Sequence, residues 1–134
     1  MSQENVEIVR RSNAAFNRGD RDGTVADYHP DVEWRALQPA PDASESVRGT
    51  AAVLAIWDQW EAAFDEFSAE IEEYVDTGKF VVVVVQWRGK GGGSGLAVDN
   101  RTADLYEFED EKIVRVTVGY SDKDAALKAV GLEE

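Results

Sequence analysis

The chain has 134 residues, 43% hydrophobic and 31% charged, with no cysteine. That length suits one core, so a single domain over 1–134 is expected, and the composition excludes a disordered tail, a membrane protein, a disulfide framework and a thiol nucleophile. Asp and Glu number 27 against 14 Lys and Arg, and the formal net charge of -13 repels phosphate backbones and anionic headgroups, so neither nucleic acid nor membrane is expected as a partner.

Between residues 4 and 18, Ile8, Val9, Ser12, Ala15 and Phe16 recur at helical spacing, and Gly19 follows where a left-handed cap belongs. Asp20 reads as the N-cap of a short second helix holding Val25, Ala26 and Tyr28, stopped by Pro30. Residues 32–37 read as a strand, and 38–46, with Pro39 and Pro41, as a loop. Thr50 opens a third, amphipathic helix with Val53, Ile56, Trp57, Trp60 and Phe64 on one stripe.

Beyond it the period falls from about 3.6 to 2. Residues 67–77, 80–88, 96–109 and 113–120 read as strands joined at Gly78-Lys79, at the glycine-rich run 89–95 and at Asp110-Glu111-Lys112. Ser121, with Asp124 three residues on, reads as the cap of a last helix closed by Gly131. Consecutive antiparallel strands with helices gathered at the N-terminal side predict an α+β domain, one sheet face covered by helices and a gap at the wide end of the sheet. The valine run at 81–85 is far short of the roughly 20 residues that span a bilayer. The first residues carry no basic, apolar leader, and a cytoplasmic location is expected.

His29 is the single histidine, which excludes two-histidine metal sites, and the glycine-rich run lacks the spacing of a phosphate loop, so no metal or cofactor is expected. On the fourth long segment Thr102, Asp104, Tyr106 and Phe108 share one face. A carboxylate among such neighbours is paired, hydrogen-bonded or shifted towards the neutral acid, unless that face is the solvent side. A neutral acid donates to a developing oxyanion, and a poised carboxylate moves protons. Tyr120, in phase with Val114, Val116 and Val118, is placed in the same space as Asp104 as a pocket wall or hydrogen-bond donor. Phe16, Trp34 and Trp60 are either core packing or apolar walls for a flat ligand, with Thr102, Tyr106 and Val118 beside them. Glu73 interrupts an apolar phase and reads as an exposed carboxylate near a strand bend.

The order of elements, together with Phe16-Asn17-Arg18-Gly19-Asp20, Pro30-Asp31-Val32-Glu33-Trp34, Arg48-Gly49 and Lys112-Ile113-Val114-Arg115-Val116, resembles the SnoaL-like branch of the nuclear transport factor 2-like superfamily. The resemblance implies a cone-shaped, curved sheet wrapped around N-terminal helices, a hydrophobic small molecule in the cavity between them, and a homodimer through the sheet. It also implies that Asp104 falls where ketosteroid isomerases place an oxyanion-binding acid, and that Tyr120 matches an aromatic pocket wall. Ala36 and Ser12 stand where those isomerases carry their proton-shuttling Asp and their oxyanion Tyr. In the cyclases of the branch a His and an Asp work together, whereas here Asp104 stands near the His position and Gly119 or Tyr120 near the Asp. The function implied is small-molecule binding, with cofactor-free isomerase, cyclase or dehydratase chemistry beside a carbonyl carried by Asp104 and Tyr120, or else non-catalytic ligand binding or a dimeric interaction module.

Overall fold

The helical repeat at the N-terminus forms α1 (Ser2–Arg18) in the computed structural model, which describes residues 2–37, 46–91 and 97–130. Ile8, Val9, Ser12, Ala15 and Phe16 are all buried, as one apolar face of a helix requires. Gly19, at φ 78°, turns the chain in the left-handed region that glycine enters without steric penalty. Asp20 then caps α2 (Arg21–Thr24), accepting from the Gly23 amide at 3.0 Å. The helix expected to run on through Tyr28 stops four residues earlier than that. Pro30 disfavours the α region at the residue before it, and Tyr28 instead opens β1 (Tyr28–Ala36).

Next come β2 (Ser46–Arg48) and α3 (Thr50–Ala63), entered through Gly49 at φ 94°. The stripe expected to reach Phe64 ends one residue sooner, because Phe64 begins β3 (Phe64–Asp76). Three long strands follow, β4 (Phe80–Gly91), β5 (Ala97–Glu109) and β6 (Lys112–Tyr120), and then α4 (Lys123–Ala129). Asp122 caps α4, not Ser121, because its carboxylate accepts from the Ala125 amide at 2.8 Å. Most of the expected 38–46 loop, the centre of the glycine-rich connection and Gly131 lie outside the described residues.

The sheet runs β2-β1-β6-β5-β4-β3, with β1 and β6 parallel and every other pair antiparallel. It is a curved mixed sheet that does not close, the α+β architecture expected. Helices α1 and α3 cover its inner face. The Asn17 side chain fixes α1 to β3, donating to the Ala69 carbonyl at 2.7 Å and accepting from the Ala69 amide at 3.0 Å, as a neighbouring strand would. Helix α4 covers part of the outer face, where Ala126 packs on Val82, Ala103 and Leu105.

Central β4 therefore has neighbours on both faces, which accounts for its unbroken β-branched run. Val81, Val83 and Val85 point to the inner core and Val82 to the α4 side. Val81, Val82 and Val83 have no exposed surface, and burying each contributes about 1.5 kcal/mol. Among the described residues no helix is long and apolar enough to cross a membrane.

Candidate functional site

Strand register decides where the acid of β5 goes. Asp104 pairs with Val83 of β4, an inner-core residue, and side chains of directly opposed residues share a face. Asp104 thus points inward and is 1% exposed, the only carboxylate in the buried set of the described residues. The Thr102 hydroxyl donates to its Oδ1 at 2.9 Å, and the Gly119 amide donates to the same oxygen at 3.2 Å. The Trp87 indole N–H donates in turn to Thr102 Oγ1 at 3.0 Å. Burial pushes the acid up to about 7, against the opposing pull of the Gly119 and Thr102 hydrogen bonds. Near neutrality it is therefore divided between acid and carboxylate, the condition under which one group both gives and takes a proton.

Two phenols share this interior. Burial raises Tyr28 well above the ordinary tyrosine range; a Ser12 hydrogen bond opposes the rise and the nearby Asp104 charge adds to it. The Ser12 hydroxyl itself donates to the Thr24 carbonyl at 2.7 Å. Burial likewise raises Tyr106, with Tyr28, Asp104 and Tyr74 adding to the effect. Both phenols stay protonated across the range in which Asp104 titrates. Around them Phe16 meets Trp57 and Trp87 edge to face, at ring separations of 5.4 and 6.4 Å, and Tyr28 meets Trp57 at 6.2 Å.

Phe16 and Trp34 belong to the inner core, each 7% exposed, and Tyr106 and Val118 pack against it. Thr102 joins them through its bond to Asp104. Trp60 lies in α3, but its side chain is outside the described residues.

Tyr120 is not brought to Asp104, contrary to the phase expected along β6. Leu105 pairs with Thr117 and Ala103 with Tyr120, so β6 spends one residue more than β5 between those pairs, and Gly119 bulges at φ 101°. The bulge turns Tyr120 to the outer face, against the cluster of Val82, Ala103, Leu105 and Ala126. It also frees the Gly119 amide for Asp104. A second shift, between Phe108–Ile113 and Glu107–Arg115, places Ile113 inward and takes Val114 out of phase with Val116.

Tyr28, Trp57 and Trp87 join the site without having been singled out by sequence for it. Pro30, which disfavours helical geometry at His29 and so ends the helix short of it, was the signal near Tyr28, and a glycine among the valines of β6 was the signal for the bulge. Glu73 is exposed at a register shift of β3 and pairs with Lys123 at 2.9 Å.

Among the described residues, the surface clefts include two lined largely by charged groups. One, of about 360 Å³, is lined by charged groups that include His29, Glu33, Arg48, Glu107 and Arg115. The other, of about 840 Å³, lies by Glu7, Arg11, Asp27 and Lys112. Neither touches Asp104 or the expected wall residues. Among the described residues no group of three or more His, Asp or Glu is placed to hold a metal ion.

The fold has counterparts in known structures. Bal32a, from a soil-derived mobile gene cassette, superposes with a TM-score of 0.81 at 20% identity, covering 90% of this chain and 92% of its own. TerC co-crystallised with polyporic acid gives 0.76 at 21% identity, covering 87% and 91%. An NTF2-like protein from Burkholderia xenovorans gives 0.71 at 28% identity, covering 96% and 97%. No curated protein matches the chain. The family model of the SnoaL-like domain matches residues 9–116.

Proposed function

The chain belongs to the SnoaL-like branch of the nuclear transport factor 2-like superfamily, and from that premise we propose that its interior receives a hydrophobic carbonyl compound and that Asp104 moves a proton beside the carbonyl without a cofactor. One observation carries this reading: a carboxyl group 1% exposed, held by two hydrogen bonds and poised near 7. Ala36, Val47, Ile56, Trp57 and Val118 are partly buried and pack against the core that holds the acid. Phe16, Trp34 and Tyr106 serve as walls. That TerC, of the same fold, was crystallised with polyporic acid supports a small-molecule ligand.

In the ionised form Asp104 accepts the proton from the carbon next to the carbonyl, and the electron pair of the broken C–H bond passes into an enolate. With a β,γ-unsaturated ketone that enolate is a dienolate, and the resulting carboxylic acid returns the proton to its γ carbon as the double bond moves into conjugation, so atoms and electrons balance with no redox partner. A single acid-base group of this kind contributes roughly 10²–10⁴-fold. The neutral Tyr106 phenol serves as the hydrogen-bond donor, a role that Tyr120 cannot fill from the outer face. The test is turnover of β,γ-unsaturated and β-keto ketones by the wild type and by Asp104→Ala. Loss of at least 10²-fold is expected, and turnover unchanged in the variant removes Asp104 from the mechanism.

A second reading, binding without turnover, is favoured by Asp104 having no buried acid or base beside it among the described residues. Ligand-dependent quenching of tryptophan fluorescence with no product formed distinguishes it. For assembly, we propose a homodimer through the outer sheet face. There Arg115 bridges Glu33 and Glu107 at 3.0 and 3.1 Å, and such interleaved charges are able to complement a second copy. Sedimentation as a monomer at micromolar concentration overturns this.

A further inference from the structure

Two of the groups around Asp104, an indole N–H and a backbone N–H, have their direction settled by chemistry. An indole N–H only donates, so the Trp87 contact at 3.0 Å makes Thr102 Oγ1 an acceptor there. The Thr102 hydroxyl hydrogen is then left for Asp104 Oδ1, 2.9 Å away. A backbone amide also only donates, so the Gly119 N–H at 3.2 Å makes the same Oδ1 an acceptor a second time. One carboxyl oxygen therefore faces two donors, one of them aimed by a third.

We infer that Trp87, Thr102 and the Gly119 bulge are positioning residues that keep Asp104 Oδ1 free of a proton and make Oδ2 the oxygen that exchanges the proton with the ligand. A proton on Oδ1 would confront the Thr102 hydroxyl hydrogen and the Gly119 amide hydrogen together, whereas Oδ2 carries one without disturbing either bond. The arrangement selects the reacting atom and locks the carboxyl plane, as a group that must move a proton along one direction requires. The glycine is needed because the bulge holds φ at 101°, where a side chain is strained. The threonine needs its hydroxyl, and the tryptophan its N–H. The titratable groups that feel Asp104 are Tyr28 from β1 and Tyr106 from β5, and both remain neutral while it titrates.

The inference rests on the proposed role of Asp104 for its use, but its test needs no ligand. Carboxyl ¹³C and indole ¹⁵N–¹H spectra of the whole chain are followed from pH 4 to 9. In the wild type the Trp87 indole resonance shifts with the same midpoint as the Asp104 carboxyl, because ionisation pulls on the Thr102 hydroxyl and through it on the indole N–H. Thr102→Val, which keeps the shape and removes the hydroxyl, raises the Asp104 midpoint by about one pH unit. Thr102→Ser restores it, and Trp87→Phe gives a smaller rise. A merely structural Thr102 would leave the midpoint in place while changing stability. An unmoved midpoint in Thr102→Val, or an indole resonance blind to the titration, overturns the inference. The relay with no turnover of any carbonyl compound leaves it standing and overturns only the catalytic reading, whereas turnover without the relay does the reverse.

Discussion

Replacing Asp104 by Asn removes the titration while preserving shape and both acceptor contacts, since the amide oxygen accepts from Thr102 and Gly119 as Oδ1 does. The folded acid titrates at about 7 against an ordinary value of 3.8. Between those two pH values the unfolded chain has lost the proton and the folded chain still holds it, so the folded state binds more protons and stability falls as pH rises. The stabilising contribution of the neutral acid is complete below about pH 4, declines through the interval and is gone above about pH 7. The interval is about three pH units, and at about 1.4 kcal/mol for each the change is about 4 kcal/mol. Urea unfolding of the wild type and of Asp104→Asn from pH 4 to 8 isolates this one group, because the background from the other acidic residues cancels in the difference. The Asn variant is expected to be near the wild type in stability at pH 4 and to gain on it by about 4 kcal/mol by pH 8. Two curves that stay parallel across the range would mean that Asp104 is ionised throughout, and the burial argument would fail.

Gly119→Ala forces a side chain into φ 101° and should destabilise by about 1–2 kcal/mol, measured by urea unfolding, with a rise in the Asp104 midpoint as the bulge relaxes. Asp110 and Glu111 form the β5–β6 turn at φ 53° and 65°, both in the left-handed region, so Asp110→Asn with Glu111→Gly should stabilise by about 1 kcal/mol and raise Tm by a few degrees. Asp122→Ala removes the acceptor of the Ala125 amide and should cost about 1 kcal/mol; hydrogen exchange at α4 should rise while exchange at β4 is unchanged.

Much of the architecture could be read directly because local chemistry and tertiary context agree. The buried face of α1, the left-handed glycine after it and the doubly covered valines of β4 each follow from spacing and residue type alone. Alternation along β5 groups Asp104 with Thr102, Tyr106 and Phe108, but only its pairing with Val83 makes that face the inner one. The faces of β6 do not follow in that way. Its alternating pattern is regular in sequence, yet two register shifts against β5 turn residues over, and Tyr120 leaves the space that Asp104 occupies. Tyr28 reached the site for a related reason, since the helix that might have carried it yields to the extended geometry before Pro30.

What residue order determined unaided is therefore the class of fold and the aromatic supply around Asp104, because these depend on periodicity and on the transfer free energies of single side chains. Only the assembled sheet decided which groups touch that acid. A bulge is a property of two paired strands, and the Gly119 amide of β6 meets the Thr102 hydroxyl of β5 on one carboxyl oxygen while the Trp87 indole of β4 aims that hydroxyl, a convergence of three strands that no single stretch of sequence contains.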